Sequence, residues 1–277
     1  MRPDARAKRD AFLACIGARP LLMGILNVTP DSFSDGGRFL AAEAAVAHAR
    51  QMVADGCDIV DIGAESTRPG ATPIGEAEEI ARLEPVLGKL AADLNAPLSV
   101  DTSKAAVARR ALSLGAVLIN DVWGLQKDAA LADVVAEAEA AVVIMHNRAE
   151  KDESLDIIAD IRRFFDRSLA FAARAGIPKN HIILDVGIGF AKSSRQNRDA
   201  ITRLGELKDY ALPIMVGASR KRFLGSLTGD GIEGTLAGTL AVSLAAVAAG
   251  AAILRVHDVA EHAAALRAFQ AMRGRNW

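Results

Sequence analysis

Three polar residues close short apolar runs in a way that suits hydrogen-bond recognition of a ring. Asp101 ends "APLSVD", Asn120 falls in "AVLIND", and Asp185 ends "HIILD" just before the glycine-containing "VGIGFAK". Two carboxylates and an amide supply several acceptors and one donor, a set that fits a flat heterocycle carrying several N–H groups. A second set is cationic or anion-compatible: Arg68 in "STRPG", Arg220 and Lys221 in "SRK", and Arg255 with His257 in "AAILRVHD". Those groups suit phosphate or diphosphate. Arg255 is the most informative, because it interrupts an apolar run where an unpaired charge is costly, and so calls for a partner or a ligand anion. Plainer readings stand beside these. A strand often stops on a polar residue, a basic triplet such as Arg220 to Arg222 is usually a solvated loop, and Gly187-Ile188-Gly189 falls short of a dinucleotide fingerprint. His48, His181 and His262 lie in helix or strand-start positions and carry no functional expectation, while His146, at a strand tip, stays open.

The elements that must position these residues are legible as a repeat. Eight β-type runs reach polar tips at Asn27, Glu65, Asp101, Asn120, His146, Asp185, Ser219 and His257. Helix-period segments lie between them, among them 41–54, 76–93, 104–114 and 157–175. Strict alternation implies a parallel sheet, and eight units fit a closed (β/α)8 barrel of the TIM type better than the alternative, an open doubly wound sheet. In a barrel the carboxyl ends of all strands meet on one face, so the polar tips would face one another there. Loop one, "NVTPDSFSDGG", is either an ordinary connection or a mobile lid, and its hydroxyls with Asp31 and Asp35 favour the lid. No linker divides the chain, which is expected to form one α/β domain over 1–277 with the barrel core at roughly 20–273.

Bulk composition narrows the partners. The chain has 277 residues, 51% hydrophobic and 24% charged, enough for a large core, and its net charge of -1 offers no basic excess for nucleic acid or a membrane surface. Cys15 and Cys57 lack metal-ligand spacing and fit a reducing cytoplasm. The charged N-terminus is followed by "AFLACIG", too short for a signal-peptide core. The Ala-rich stretch from Thr235 to Val256 reads as a helix to Ala249, a stop at Gly250 and then a strand, and not as a membrane span. That helix is apolar on several faces, which predicts a homodimer that buries it.

Together the motifs "GILNVTPDSFSDGG", "DIGAESTRPGA", "SVDTSK", "LINDV", "SRK" and "RVHDV" resemble those of the dihydropteroate synthases, over nearly the whole chain. The resemblance implies a barrel transferase of folate synthesis that joins 6-hydroxymethyl-7,8-dihydropterin diphosphate to 4-aminobenzoate, in a family that sulfonamides inhibit. It implies that Asp101, Asn120, Asp185 and Lys221 hold the pterin. The diphosphate would meet Asn27, Arg68, Arg255 and His257, with Mg²⁺ bound through Asn27. Thr67, Pro69, Phe190 and Ser219 would border the aminobenzoate pocket, and catalytic roles fall to Asp35, Asp101, Lys221, Arg255 and His257. The chain departs from the family pattern at Val186, where proline is usual, at Ala191, where glycine precedes the lysine, and at Arg222, where a small residue is usual. Should Ala191 adopt a positive φ, the cost is about 1 kcal/mol or more, with Phe190 next to it. Two other readings are a methyltetrahydrofolate-dependent methyltransferase and a pterin-binding paralogue without turnover.

Overall fold

The computed structural model describes residues 3–28, 37–66, 72–228 and 236–274. Its strands are β1 (Leu21–Asn27), β2 (Ile59–Gly63), β3 (Leu98–Asp101), β4 (Leu118–Asp121), β5 (Ala141–Met145), β6 (Ile182–Asp185), β7 (Ile214–Val216) and β8 (Ile253–Val256). They pair in chain order, all parallel, and β8 returns to β1, so the sheet is a closed barrel. The expected (β/α)8 architecture is what forms. β7 is the shortest strand because Pro213, with no N–H, precedes it and Gly217, with no side chain to pack, follows it.

The helices are α1 (Pro3–Cys15), α2 (Gly37–Ala54), α3 (Glu76–Asp93), α4 (Ala105–Leu114), α5 (Leu131–Glu137), α6 (Ile157–Ala175), α7 (Ser194–Thr202), α8 (Phe223–Thr228), α9 (Leu236–Ala248) and α10 (Val259–Met272). Clear stop signals end several of them: Gly115 at φ 116° after α4, Gly176 at φ 85° after α6, and Gly250 at φ 111° beyond α9. At its start α7 carries a complete capping box between Ser193 and Gln196. No helix among the described residues is long and apolar enough to cross a membrane.

Side-chain alternation divides the strands into two layers. One face of each strand, for example Leu22, Val60, Val100, Ile119, Val142, Leu184 and Leu254, packs under the helices. The other face fills the barrel interior, and its lower part is apolar: Leu21, Met23, Ile59, Leu118, Val143, Ile183, Met215 and Ile253. Helix α1, which the charged N-terminal sequence did not announce, adds Ala5 and Phe12 to that interior cluster and closes the barrel's lower mouth. Its buried Arg9 donates to the Glu139 carbonyl and pairs with Asp10 at 2.6 Å.

Candidate active site

Above the apolar floor, the inward positions become polar, and period-two alternation says which ones. On β2 the inward residue after Ile59 is Asp61, on β3 it is Ser99 and then Asp101, on β4 Asn120, on β6 Asp185 and on β8 Arg255. Strand register places Asp61 beside Ser99 and Asp101 beside Asn120. Asp61 is fully buried and is the hub of this layer. Its Oδ1 accepts from Ser99 Oγ at 2.6 Å, and its Oδ2 accepts from Arg255 Nε at 2.7 Å and from Asn120 Nδ2 at 3.0 Å. The second branch of the Arg255 guanidinium donates to Asp101 Oδ2, also at 2.7 Å.

This network sets the chemistry that each group presents. One N–H of the Asn120 amide goes to Asp61, which fixes the amide and leaves its carbonyl oxygen and second N–H for a ligand. Arg255 has the partners that its apolar neighbours on β8 demand. Burial alone would lower its pKa, yet Asp61 and Asp101 hold it above the usual arginine range. Gly217 lies alongside the stem of Arg255, where an added Cβ would stand 3.6 Å from the Arg255 Cβ, an ordinary contact. Burial pushes Asp101 above the usual carboxylate range, Arg255 opposes it, and Asp61 and Glu79 add to it. Asp101 Oδ1 is buried and has no hydrogen-bond partner among the described residues. An unmet buried acceptor costs about 1–3 kcal/mol, which a donor on a ligand would recover.

Asp185 stands at the end of β6, where burial raises its pKa and the Gly187 N–H, donating to Oδ1 at 2.8 Å, partly offsets that. The chain then turns through three positive-φ residues, Gly187 at 65°, Gly189 at 84° and Ala191 at 42°. The strained conformation anticipated for Ala191 is therefore present. Phe190 lies against Lys221, whose Nζ is 4.4 Å from the ring centroid. Val186 is fully buried beneath the helices, a position a β-branched residue fills well. Arg222 is exposed, and Arg220 pairs with Asp258 at 2.5 Å, so within the basic triplet Lys221 is the member that reaches the β6 turn.

Ser219 and His257 meet at the tips of the seventh and eighth units, with Oγ 3.0 Å from Nδ1. The Ser219 oxygen also accepts from the His257 backbone N–H at 3.2 Å, so the serine is tied to His257 through both its ring and its main chain. Burial, followed by Arg220 and Arg255, lowers the His257 pKa to about 4, so the ring at this tip is neutral. Asn27 ends β1 with its side-chain oxygen beside Gly63, 3.6 Å from where a Cβ on that glycine would sit, and Asp101 is the next neighbour at 3.8 Å.

Two tips do not face the others. His146 follows the inward Met145, so its ring points outward, bonding Asp160 on α6 at 3.1 Å with Phe164 at its edge. Glu65 pairs with Lys104 at 2.9 Å, and Lys104 also bonds the buried Glu79 at 2.6 Å. Asp35, Thr67, Arg68 and Pro69 lie outside the described residues. Asp61 is the functional residue that sequence reasoning missed. Its signal was an acid inside "CDIVDIG", the mirror image of the cation inside "AAILRVHD".

Residues 23–257 match the family described as pterin binding enzyme. The dihydropteroate synthase of Bacillus subtilis (strain 168) is 42% identical over 254 residues, covering 92% of this chain and 89% of that protein. A dihydropteroate synthase from Clostridium difficile, solved in the presence of pteroic acid, is 45% identical with a TM-score of 0.89, covering 93% of this chain and 98% of the other. The Xanthomonas albilineans enzyme with 4-aminobenzoic acid is 43% identical with a TM-score of 0.86, covering 92% and 93% of the two chains. With a barrel whose acceptors and cations meet at one mouth, and with relatives of this extent, the chain belongs to the pterin-binding enzyme family and within it to the dihydropteroate synthases, transferases of folate biosynthesis.

Proposed function

We propose that the chain joins 6-hydroxymethyl-7,8-dihydropterin diphosphate to 4-aminobenzoate, releasing diphosphate and 7,8-dihydropteroate. The observation that carries this reading is the buried, unmet Asp101 Oδ1 among the further acceptors Asn120 and Asp185. A pterin edge supplies N–H donors to such a set. In the reaction the amine lone pair forms a C–N bond at the pterin methylene, the C–O bond to diphosphate breaks with its electron pair leaving on oxygen, and the amine sheds a proton.

The residues divide the work. Asp101, with Asp185, faces the positive charge that grows on the pterin as the C–O bond stretches. Lys221 joins them at the pterin, while Arg255 and His257 receive the diphosphate, together with Arg68 and Asn27. Phe190 and Ser219, with Thr67 and Pro69, border the aminobenzoate. Asp35 acts from loop one, where a closed loop would keep water from the cation. The Asn27 side-chain carbonyl is a hard neutral oxygen at the open end of β1, and that donor fits Mg²⁺ shared with substrate phosphates. Mg²⁺ bound there supplies charge neutralisation of the leaving group.

We also infer a homodimer. Helix α9 turns its polar Thr239 and Ser243 inward, both buried, while Leu236 is 40% exposed. A helix with its apolar side outward fits a second copy of the chain. The two free cysteines support a cytoplasmic setting. Detection of 7,8-dihydropteroate by mass spectrometry, dependent on both substrates, tests the reaction. Methyl transfer to a corrinoid, or pterin binding without product, would replace it.

A further inference from the structure

Behind the β6 turn lies a buried cation that the reaction as described does not use. Lys192 Nζ donates to three carbonyls: Gly187 at 2.7 Å, Phe190 at 3.2 Å and His146 at 3.4 Å. All three partners are neutral. An apolar chain of equal length would fill this space without the cost of burying a charge, so the ammonium's contribution is to the geometry of the turn. It gathers carbonyl oxygens that would otherwise repel one another. The approach is close, since a Cβ on Gly187 would stand 2.0 Å from the His146 oxygen.

The shape so held is strained. Left-handed geometry is unfavourable for a non-glycine residue, and Ala191 adopts it at φ 42°. Arg148 adds a second tie, donating to the Ala191 carbonyl at 2.6 Å. The opposite side of the turn faces the substrates: Gly187 N–H holds Asp185, Phe190 meets Lys221, and a Cβ on Gly189 would stand 3.0 Å from Lys221 Cδ.

We propose that Lys192 is a positioning residue for aminobenzoate capture, its ammonium drawing three carbonyls together so that the 187–191 turn presents Phe190 to the aminobenzoate pocket. This rests on the synthase reading. Titration makes it testable. Burial, then Arg148, lowers the Lys192 pKa to about 7, while Asp185 and Asp160 oppose and Lys221 adds to the lowering. Neutral His146 contributes only its carbonyl. Above that pH the amine keeps two N–H groups for three carbonyls, so the turn loosens as pH rises.

Steady-state kinetics of the wild-type protein, Lys192→Met and Lys192→Met/Ala191→Gly test it, together with hydrogen exchange of the substrate-free forms. Lys192→Met is expected to raise KM for aminobenzoate at least about tenfold with kcat within about threefold, the mark of lost binding rather than lost chemistry. The wild-type KM should climb above a pH of about 7 and that of the methionine variant should not. Glycine at 191 relieves the strain, so the double variant should recover part of the KM. Exchange at the amides of 189–191 should be faster in the methionine variant. A folded methionine variant with unchanged KM and unchanged exchange would overturn the proposal. Should that variant fail to fold, a wild-type KM flat across this pH range would overturn it instead. An inactive wild-type protein would sink the synthase reading alone, because the exchange comparison needs no turnover.

Discussion

Asp61 ties together the polar layer above the barrel's apolar floor, and its worth is electrostatic. It bonds Arg255 and the Asn120 amide at once, so its loss disturbs two groups of the proposed site together. In Asp61→Asn, Arg255 keeps its pair with Asp101 but loses its second carboxylate partner, so stability in urea unfolding should fall by about 1–3 kcal/mol. The same variant should lower kcat/KM for the pterin diphosphate at least about 100-fold. Full activity in Asp61→Asn would contradict the hub. A second residue-scale prediction concerns His146, whose pKa burial lowers to about 4. A histidine depressed from its ordinary value near 6.5 contributes stability that is present above that pH and is lost as pH falls toward 4. Thermal melts of His146→Gln should therefore vary less with pH over that window than those of the wild type. A parallel pH dependence would show that His146 titrates near its ordinary value in the folded protein. Arg255 announced from sequence that it needed a partner, because it interrupts an apolar run. The partner's identity was not legible, since Asp61 lies 194 residues away and only barrel closure brings the two together.

At the scale of elements, strand tips and helix spans were readable because local patterns dictate them. Helix α3 and helix α6 fall on the expected 76–93 and 157–175, since apolar periodicity and flanking turn residues are properties of the chain itself. Which way a tip points depends on strand parity, which turns His146 outward, whereas Glu65 lies beyond the end of β2 and pairs with Lys104 instead. Helix α1 was illegible for a related reason. Its apolar contact rests on Ala5 and Phe12 amid charges, and its burial depends on a barrel mouth assembled from distant strands. Phe12 is 5% exposed, and Phe12→Ala should destabilise the protein by about 3–5 kcal/mol while leaving the site's strands in register. Chemical unfolding measures this, and a loss below about 1 kcal/mol would mean that α1 merely rests against the barrel.

For the whole molecule, eight β-α units close into one barrel, so residues from β2, β3, β4, β6 and β8 share a single mouth although they are scattered along the chain. That closure followed from counting alternations, whereas pairings across the mouth required coordinates. The outward apolar side of α9 gives a prediction at this scale: light scattering at micromolar concentration should report a dimer of the 29.1 kDa chain, and a monomeric mass would refute it. The central claim is that the acceptors and cations at the mouth perform substitution at a pterin methylene. Its most direct test is diphosphate release by the purified protein given pterin diphosphate, Mg²⁺ and 4-aminobenzoate, beside an Asp185→Ala variant. Release that requires aminobenzoate and is lost in the variant is the predicted result; no release from the wild-type protein despite pterin binding would contradict it.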